Sequence, residues 1–374
     1  MLTWAVDRLD APARQEAYAR TALAAWLSDE RQPTYLQLVD FAKRVRVPFG
    51  LLLLPEPPAE TIDLPYFRLG RTGDASGLPV DVVALIQEVQ ARQTWTKTYL
   101  LDQGAEPLEF IGSATLASDV SDLARSIRET LGYSSTWTRS NSSWDTSRRR
   151  LLAKVEELGI FVTASGVVGQ HNKRSIDPDV LDGFALSDPI APFIYVNVGS
   201  YVAKQIFTIF HELVHLWLGR SAAFDIGLDA DAYDASQSLD RVERFCNQVT
   251  AEILVPEQEL RVHLTDRQLD GEVLQELASH FRVSRMVVLF RARSLKLVSA
   301  TASKALYAQL VKEYKAVKSA RKKGGDSFRT AKSRIGARFA EVLAEAYRSG
   351  VITSREAGSL SGAKGKTLVN LLRE

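Results

Sequence analysis

Phe207-Thr208-Ile209-Phe210-His211-Glu212-Leu213-Val214-His215-Leu216-Trp217-Leu218-Gly219 is the stretch on which the reading of this chain turns. Residues four apart on a helix share a face, so the two imidazoles can meet one ion. Glu212 lies beside that face, where its carboxylate can take a proton from an attacking water. The flanks are apolar nearly all round, which predicts a buried helix. Two histidines and a glutamate are costly there unless paired, and a metal removes that cost. Neutral imidazole is a usual zinc ligand, and zinc lowers the pKa of its water toward ~7. Two satisfied core histidines are the alternative, and the apolar flanks weigh against it.

A catalytic zinc needs a third protein ligand and an open position. Downstream stand Asp225, Asp229, Asp231, Asp234, Glu243 and Glu252. Glu243 opens the run ERFCNQVTAEILVP, where Val242 just before it and Phe245, Cys246, Val249 and Ile253 within it form an apolar stripe. A carboxylate bordering that stripe asks for a partner, so Glu243 is the expected third ligand. The loop aspartates read as solvated. Asn247, one turn on, either supports the first helix by a hydrogen bond or is plainly structural. Cys246 reads as a small buried hydrophobe rather than a ligand. For the oxyanion, Arg174, His171 and Tyr233 lie in plausible loops, although each reads first as a surface residue.

The chain around this site has 374 residues, 45% hydrophobic and 25% charged, with a formal charge of +2. Those are globular values, and the charge balance by itself points to no partner. A single cysteine excludes an intramolecular disulfide and suits a reducing compartment. The start, MLTWAVDRLDAPARQE, breaks into charge too soon for a signal peptide. The run Phe49 to Pro55 is too short to span a bilayer. A cytoplasmic protein with no membrane partner is expected.

The fold class expected is α+β, mostly helical around a small sheet. Residues 1–60 read as helical, with Ala11 to Trp26 rich in Ala, Arg and Leu, and Pro33-Thr34 opening a helix. LPEPP closes that unit, and 61–80 reads as a linker. Residues 81–300 form the core. Within it the expected helices are Val80 to Glu106, Ser118 to Leu131, Arg148 to Leu158, Ser200 to Leu218 and Asp240 to Leu254. GIFVTASGVV and APFIYVN read as strands, Tyr133 to Ser147 as a surface loop, and Phe224 to Leu239 as an acidic loop. Residues 301–374 form a basic helical region, with Arg329 to Arg348 an amphipathic helix. Lys312, Lys315, Lys318, Arg321, Lys322, Lys323, Arg329, Lys332, Arg334 and Arg338 crowd there. They read as a phosphate-binding patch, a solvated helix face, or a dock for an acidic partner.

FTIFHELVHLWLG followed by ERFCNQVTAEILVP resembles the ImmA/IrrE-type zinc metallopeptidases. The likeness extends through GIFVTASGVVG, Gly183-Phe184 and APFIYVN, and on into RSGVITSREAGSLSGAKGKT. It implies a gluzincin-like core with His211, His215 and Glu243 as zinc ligands and Glu212 as general base. Several members of that family cleave or antagonise a helix-turn-helix repressor, so the resemblance implies a limited cut in such a protein. WLSDERQPTYLQLVDFAKRVRVPFGLLLLPEPP is similar to the later helices of a phage-repressor helix-turn-helix domain. It departs at the front, where no turn glycine separates two helices. DNA binding through this segment and a degenerate module for protein contact both stay open. The rival reading of the whole is a DNA-associated regulator or antitoxin with a structural or vestigial zinc site.

Overall fold

A computed structural model describes residues 1–9, 11–57, 79–133, 143–172, 174–224, 241–320 and 331–373. The chain divides into two compact units, Met1–Leu64 with Arg68–Gln87, and Pro65–Phe67 with Glu88–Glu374.

The first unit holds short helices: α1 (Leu2–Asp7), α2 (Ala11–Arg20), α3 (Leu23–Leu27) and α4 (Tyr35–Arg44), then a 3-10 turn at Phe49–Leu53. The stretch Ala11 to Trp26 is broken at Thr21-Ala22, where the Thr21 hydroxyl donates to the Ala17 carbonyl at 2.7 Å. A hydroxyl bonded back to the preceding turn competes with helix continuation. Thr34 and Gln37 cap α4 reciprocally, a device worth about 1 kcal/mol. Trp26 packs edge-on against the buried ring of Phe41, 5.7 Å between centroids, and Leu23 fills the space beside them.

α5 (Val80–Asp102) belongs to the second unit from Glu88 onward. α6 (Val120–Thr130), α7 (Trp144–Glu157), β1 (Phe161–Ala164), β2 (Gly183–Leu186), β3 (Phe193–Val196), α8 (Val202–Trp217) and β4 (Ala222–Phe224) follow. Then come α9 (Arg241–Leu254), α10 (Glu257–His263), α11 (Gly271–Phe281), α12 (Arg285–Ser294), α13 (Ala300–Ala320), α14 (Ala331–Ile335), α15 (Ala337–Arg348), α16 (Ser354–Ser361) and α17 (Gly365–Arg373). The architecture is mostly helical α+β, as expected. The sheet order is β1-β3-β2-β4, with β1 parallel to β3 and the other pairs antiparallel.

Every residue of β1, β2 and β3 is buried, so both faces are covered. Side chains alternate between faces along a strand. Val162, Ala185, Ile194 and Val196 join the core that contains α8. Phe161 and Phe193 stack on the opposite face at 4.9 Å, and Phe339 of α15 meets Phe193 edge-on. Arg92 of α5 is buried there too, ion-paired with Glu88 and donating to the Leu360 carbonyl at 2.8 Å. The C-terminal helices therefore complete the sheet. Arg338 lies over the Phe161 ring, and Arg334 donates to Asn172 at 2.6 Å. Arg334 and Arg338 of that basic region thus make internal contacts. Those at 315–329 lie where the structure describes no side chains.

Several boundaries differ from expectation for local reasons. Of the loop expected over Tyr133 to Ser147, residues 134–142 lie outside the described ones, and its end is helical instead, because Ser143 accepts from the Thr146 N–H and starts α7. The helix expected from Arg329 to Arg348 breaks at Gly336, whose φ is +89°. A Cβ there would collide with the Val162 carbonyl, so only glycine lets the chain pass this close to β1. β2 and β4 have no counterpart among the expected strands. GFAL is too short to show a period, and its apolar run does not separate strand from helix. The acidic loop falls largely on 225–240, outside the described residues. Among the described residues no helix is long and apolar enough to cross a membrane.

The break at Gly336 leaves the start of α15 without a side-chain cap of its own. Glu156 of α7 supplies one, accepting from the Arg338 N–H at 3.2 Å and from that of Ala337. Burial pushes its carboxyl up to about 7, against the pull of those two N–H groups. The folded state then holds this proton more tightly than the unfolded chain, whose value is near 4.5. The stabilisation is complete below that value and is lost as pH rises through about 7. Unfolding free energy should fall by roughly 1 kcal/mol between pH 6 and 8. Chemical denaturation of Glu156→Gln should lack this component, and an equal pH slope in wild type and variant would refute the assignment.

Candidate metal centre

α8 carries the centre through the middle of the second unit. All of its residues from Lys204 to Trp217 except Phe207 are buried. Its far end is satisfied by the loop before α6, since the Gly112 and Ala114 N–H groups donate to the Leu216 and Trp217 carbonyls at 3.0 and 2.9 Å. Phe110 stacks on Trp217 at 4.5 Å between centroids. Arg148 of α7 donates to Gln205 at 2.7 Å, anchoring the near end.

His211 and His215 lie one turn apart on α8, and Glu243 comes from the first turn of α9. His211 Nε2 is 3.1 Å from Glu243 Oε2 and 3.0 Å from His215 Nε2, and His215 Nε2 is 3.3 Å from Glu243 Oε1. Hydrogen bonding accounts poorly for this triangle, because each Nε2 bears at most one proton yet faces two partners. An ion at its centre would take one lone pair from each group. Metal–ligand bonds of ~2.0–2.1 Å at tetrahedral angles place ligand atoms about 3.3 Å apart, close to the separations found. The residues present fit a zinc-sized ion.

The electrostatics agree. Burial holds His211 toward its neutral form, although Glu243 pulls the other way. Burial also acts to raise Glu243, but hydrogen bonds to the two histidines outweigh it and keep the carboxylate ionised. Neutral imidazole and ionised carboxylate are the forms that bind metal. Asn247, one turn beyond Glu243 on α9, acts to raise the His211 pKa.

Glu212 is fully buried, and neither of its carboxylate oxygens has a hydrogen-bond partner among the described residues. Burial raises its pKa well above the usual carboxylate range, and Glu243 and Asp182 add to the rise. Gly183, the first residue of β2, makes room for it. A Cβ at Gly183 would strike Thr208 and stand 3.3 Å from Glu212 Oε1. Asp182 is held by Lys204 at 2.5 Å and by the Ser200 hydroxyl at 3.0 Å. Neither Gly183 nor Asp182 was among the candidate residues of the sequence. Gly183 and Phe184 entered only through the family resemblance.

The remaining candidates separate by position. Glu252 is nine residues beyond Glu243, half a turn out of phase, and forms a buried ion pair with Arg291 of α12. Asp225, Asp229, Asp231, Asp234 and Tyr233 lie outside the described residues. His171 is exposed on the tight turn bracketed by the Val167–Ser175 bridge, and Arg174 is half-buried there.

Cys246 is close enough to the two imidazoles to be grouped with them as a metal-binding set. Its sulfur, however, lies 3.7 Å from His215 Nδ1, the ring nitrogen facing away from the triangle. Burial raises the thiol pKa well above its usual value, and the carboxylates of Glu243 and Glu212 reinforce this. A neutral thiol behind His215 orients the ring. Cys246→Ala should therefore retain its metal, measured as ion content after dialysis; metal loss in that variant would make the sulfur a ligand.

Residues 155–293 match the sequence model of one family, Peptidase_M78, described as the IrrE N-terminal-like domain. That span runs from the end of α7 to the end of α12 and includes His211, Glu212, His215 and Glu243. The comparison with curated proteins found no match.

Proposed function

We propose, from the premise that residues 155–293 form a metallopeptidase-type domain of the ImmA/IrrE family, that this chain is a zinc-dependent endopeptidase. His211, His215 and Glu243 hold the ion, and Glu212 is the general base. The observation that carries this reading is the triangle of 3.0, 3.1 and 3.3 Å among two imidazoles and one carboxylate. The unpartnered carboxylate of Glu212 beside it completes the set.

Zinc bound there supplies a Lewis acid for the scissile carbonyl and lowers the pKa of a water toward ~7. The protein's own groups do the rest. Glu212 accepts a proton from the water as its oxygen attacks the carbonyl carbon. The same carboxyl then delivers that proton to the departing amine nitrogen as the C–N bond breaks. Cys246 backs the His215 ring, and Gly183 keeps the space around Glu212 clear.

The substrate we infer is a helix-turn-helix repressor, cut at a limited site, in a cytoplasmic setting. The family relation supports this reading. The inward contacts of Arg334 and Arg338 weaken the rival one, in which the basic C-terminal region grips DNA.

Glu212→Gln should keep its zinc and lose roughly 100-fold or more of peptidase rate. Glu243→Ala should lose zinc along with activity. Metal analysis and a cleavage assay on a repressor substrate, run side by side, check both. Undiminished cleavage by a metal-replete Glu212→Gln preparation would defeat the mechanism.

A further inference from the structure

Four of the five histidines in this chain lie in two clusters, and only one cluster belongs to the centre described above. The other joins α10 to α11. Glu259 and His263 are four apart on α10 and so share a face, and His280 comes from the last turn of α11. His263 Nε2 is 3.3 Å from His280 Nε2, and His280 Nε2 is 2.9 Å from Glu259 Oε1. All three ligand atoms lie within 4.8 Å of one another. The arrangement repeats the chemistry of the first triangle: one imidazole nitrogen faces both a second imidazole nitrogen and a carboxylate oxygen. A single proton on His280 Nε2 does not serve both contacts well, whereas a metal ion takes one lone pair from each.

We propose that Glu259, His263 and His280 form a second site, for a divalent transition ion of the zinc class, that ties α10 to α11. Two imidazoles and a carboxylate favour zinc, cobalt, nickel or copper over magnesium or calcium. The 3.3 Å nitrogen separation equals the edge of about 3.3 Å that zinc–nitrogen bonds at tetrahedral angles require. The rings are held in place by Phe281, whose centroid is 4.8 Å from that of His280 and 5.9 Å from that of His263.

The charged groups facing the cluster leave room for a cation. Arg267 is neutralised by Glu276 through two hydrogen bonds of 3.1 and 2.6 Å, and Arg128 of α6 lies on the Glu259 side. The side chains of His280 and Glu259 are 27% and 19% exposed, so solvent can complete the coordination shell. An open site with three protein ligands exchanges its ion more readily than the buried centre. Its occupancy fastens the segment that follows α9 directly through Val255-Pro256.

The test is a zinc titration of the metal-stripped full-length chain by calorimetry, with cobalt absorption spectra as a second probe. The unmodified protein should take up a second, weaker equivalent of ion. His263→Ala/His280→Ala should lose that equivalent while retaining the tighter one and its peptidase activity. His211→Ala/His215→Ala should show the reverse pattern of binding, which keeps failure of this site distinct from failure of the catalytic one. Uptake of a single equivalent by the unmodified chain, or a weaker equivalent that survives His263→Ala/His280→Ala, would overturn the proposal. Should the alanine pair unfold by circular dichroism, histidine 15N resonances of the unmodified chain decide the matter. Zinc beyond the first equivalent should shift two further imidazoles, and unmoved resonances would exclude the site.

Discussion

Placing His211, Glu212, His215 and Glu243 against an apolar core is the constraint on which the rest of the second unit depends. Ionisable groups removed from water are costly unless each finds a compensating partner. Here the imidazoles and Glu243 compensate one another within a triangle whose sides run from 3.0 to 3.3 Å. Glu212 has no such compensation among the described residues and answers by a raised proton affinity. The same desolvation that makes the site expensive prepares its chemistry. It keeps His211 neutral and makes Glu212 a stronger base.

The surrounding fold can be understood as what holds that helix still. The sheet lies beneath α8, Gly183 lets β2 approach it, and Phe110 with its loop closes the far end. Buried cations do the long-range fastening. Arg148 ties α7 to α8, Arg291 ties α12 to the end of α9, and Arg92 ties α5 to the last turn of α16. Each of these would be costly if it lost its partner. That gives the unit specificity in how its helices dock, at places where apolar packing alone would tolerate sliding. The C-terminal helices belong to this arrangement, since α14 and α15 cover the sheet face opposite α8.

Much of this was legible in local chemistry. The i, i+4 histidines, the apolar run around them and the stripe beside Glu243 specify two buried helices that bring these side chains toward each other. Thr34, read in Pro33-Thr34 as opening a helix, caps α4; Asp119, Ser143, Asp270, Ser284 and Thr353 accept in the same way from helix N-terminal N–H groups. Where local reading failed, the cause was contact between distant segments. β2 is a strand only because β3 and β4 pair with it. The break at Gly336 exists because the chain passes against Val162, and α15 starts cleanly because Glu156 reaches it from α7.

The sequence by itself determined which residue types could bind a metal, on which helices they sit, and on which helix face. Helical periodicity is a local property, so those inferences needed no partner segment. Only the tertiary structure decided the choices that depend on distance between helices. It brought Glu243 to the imidazoles, turned Glu252 toward Arg291, and set Cys246 behind His215 rather than beside it. It also brought His263 and His280, seventeen positions apart, to 3.3 Å. No local rule specifies such separations, because they are fixed by how α8, α9, α10 and α11 pack.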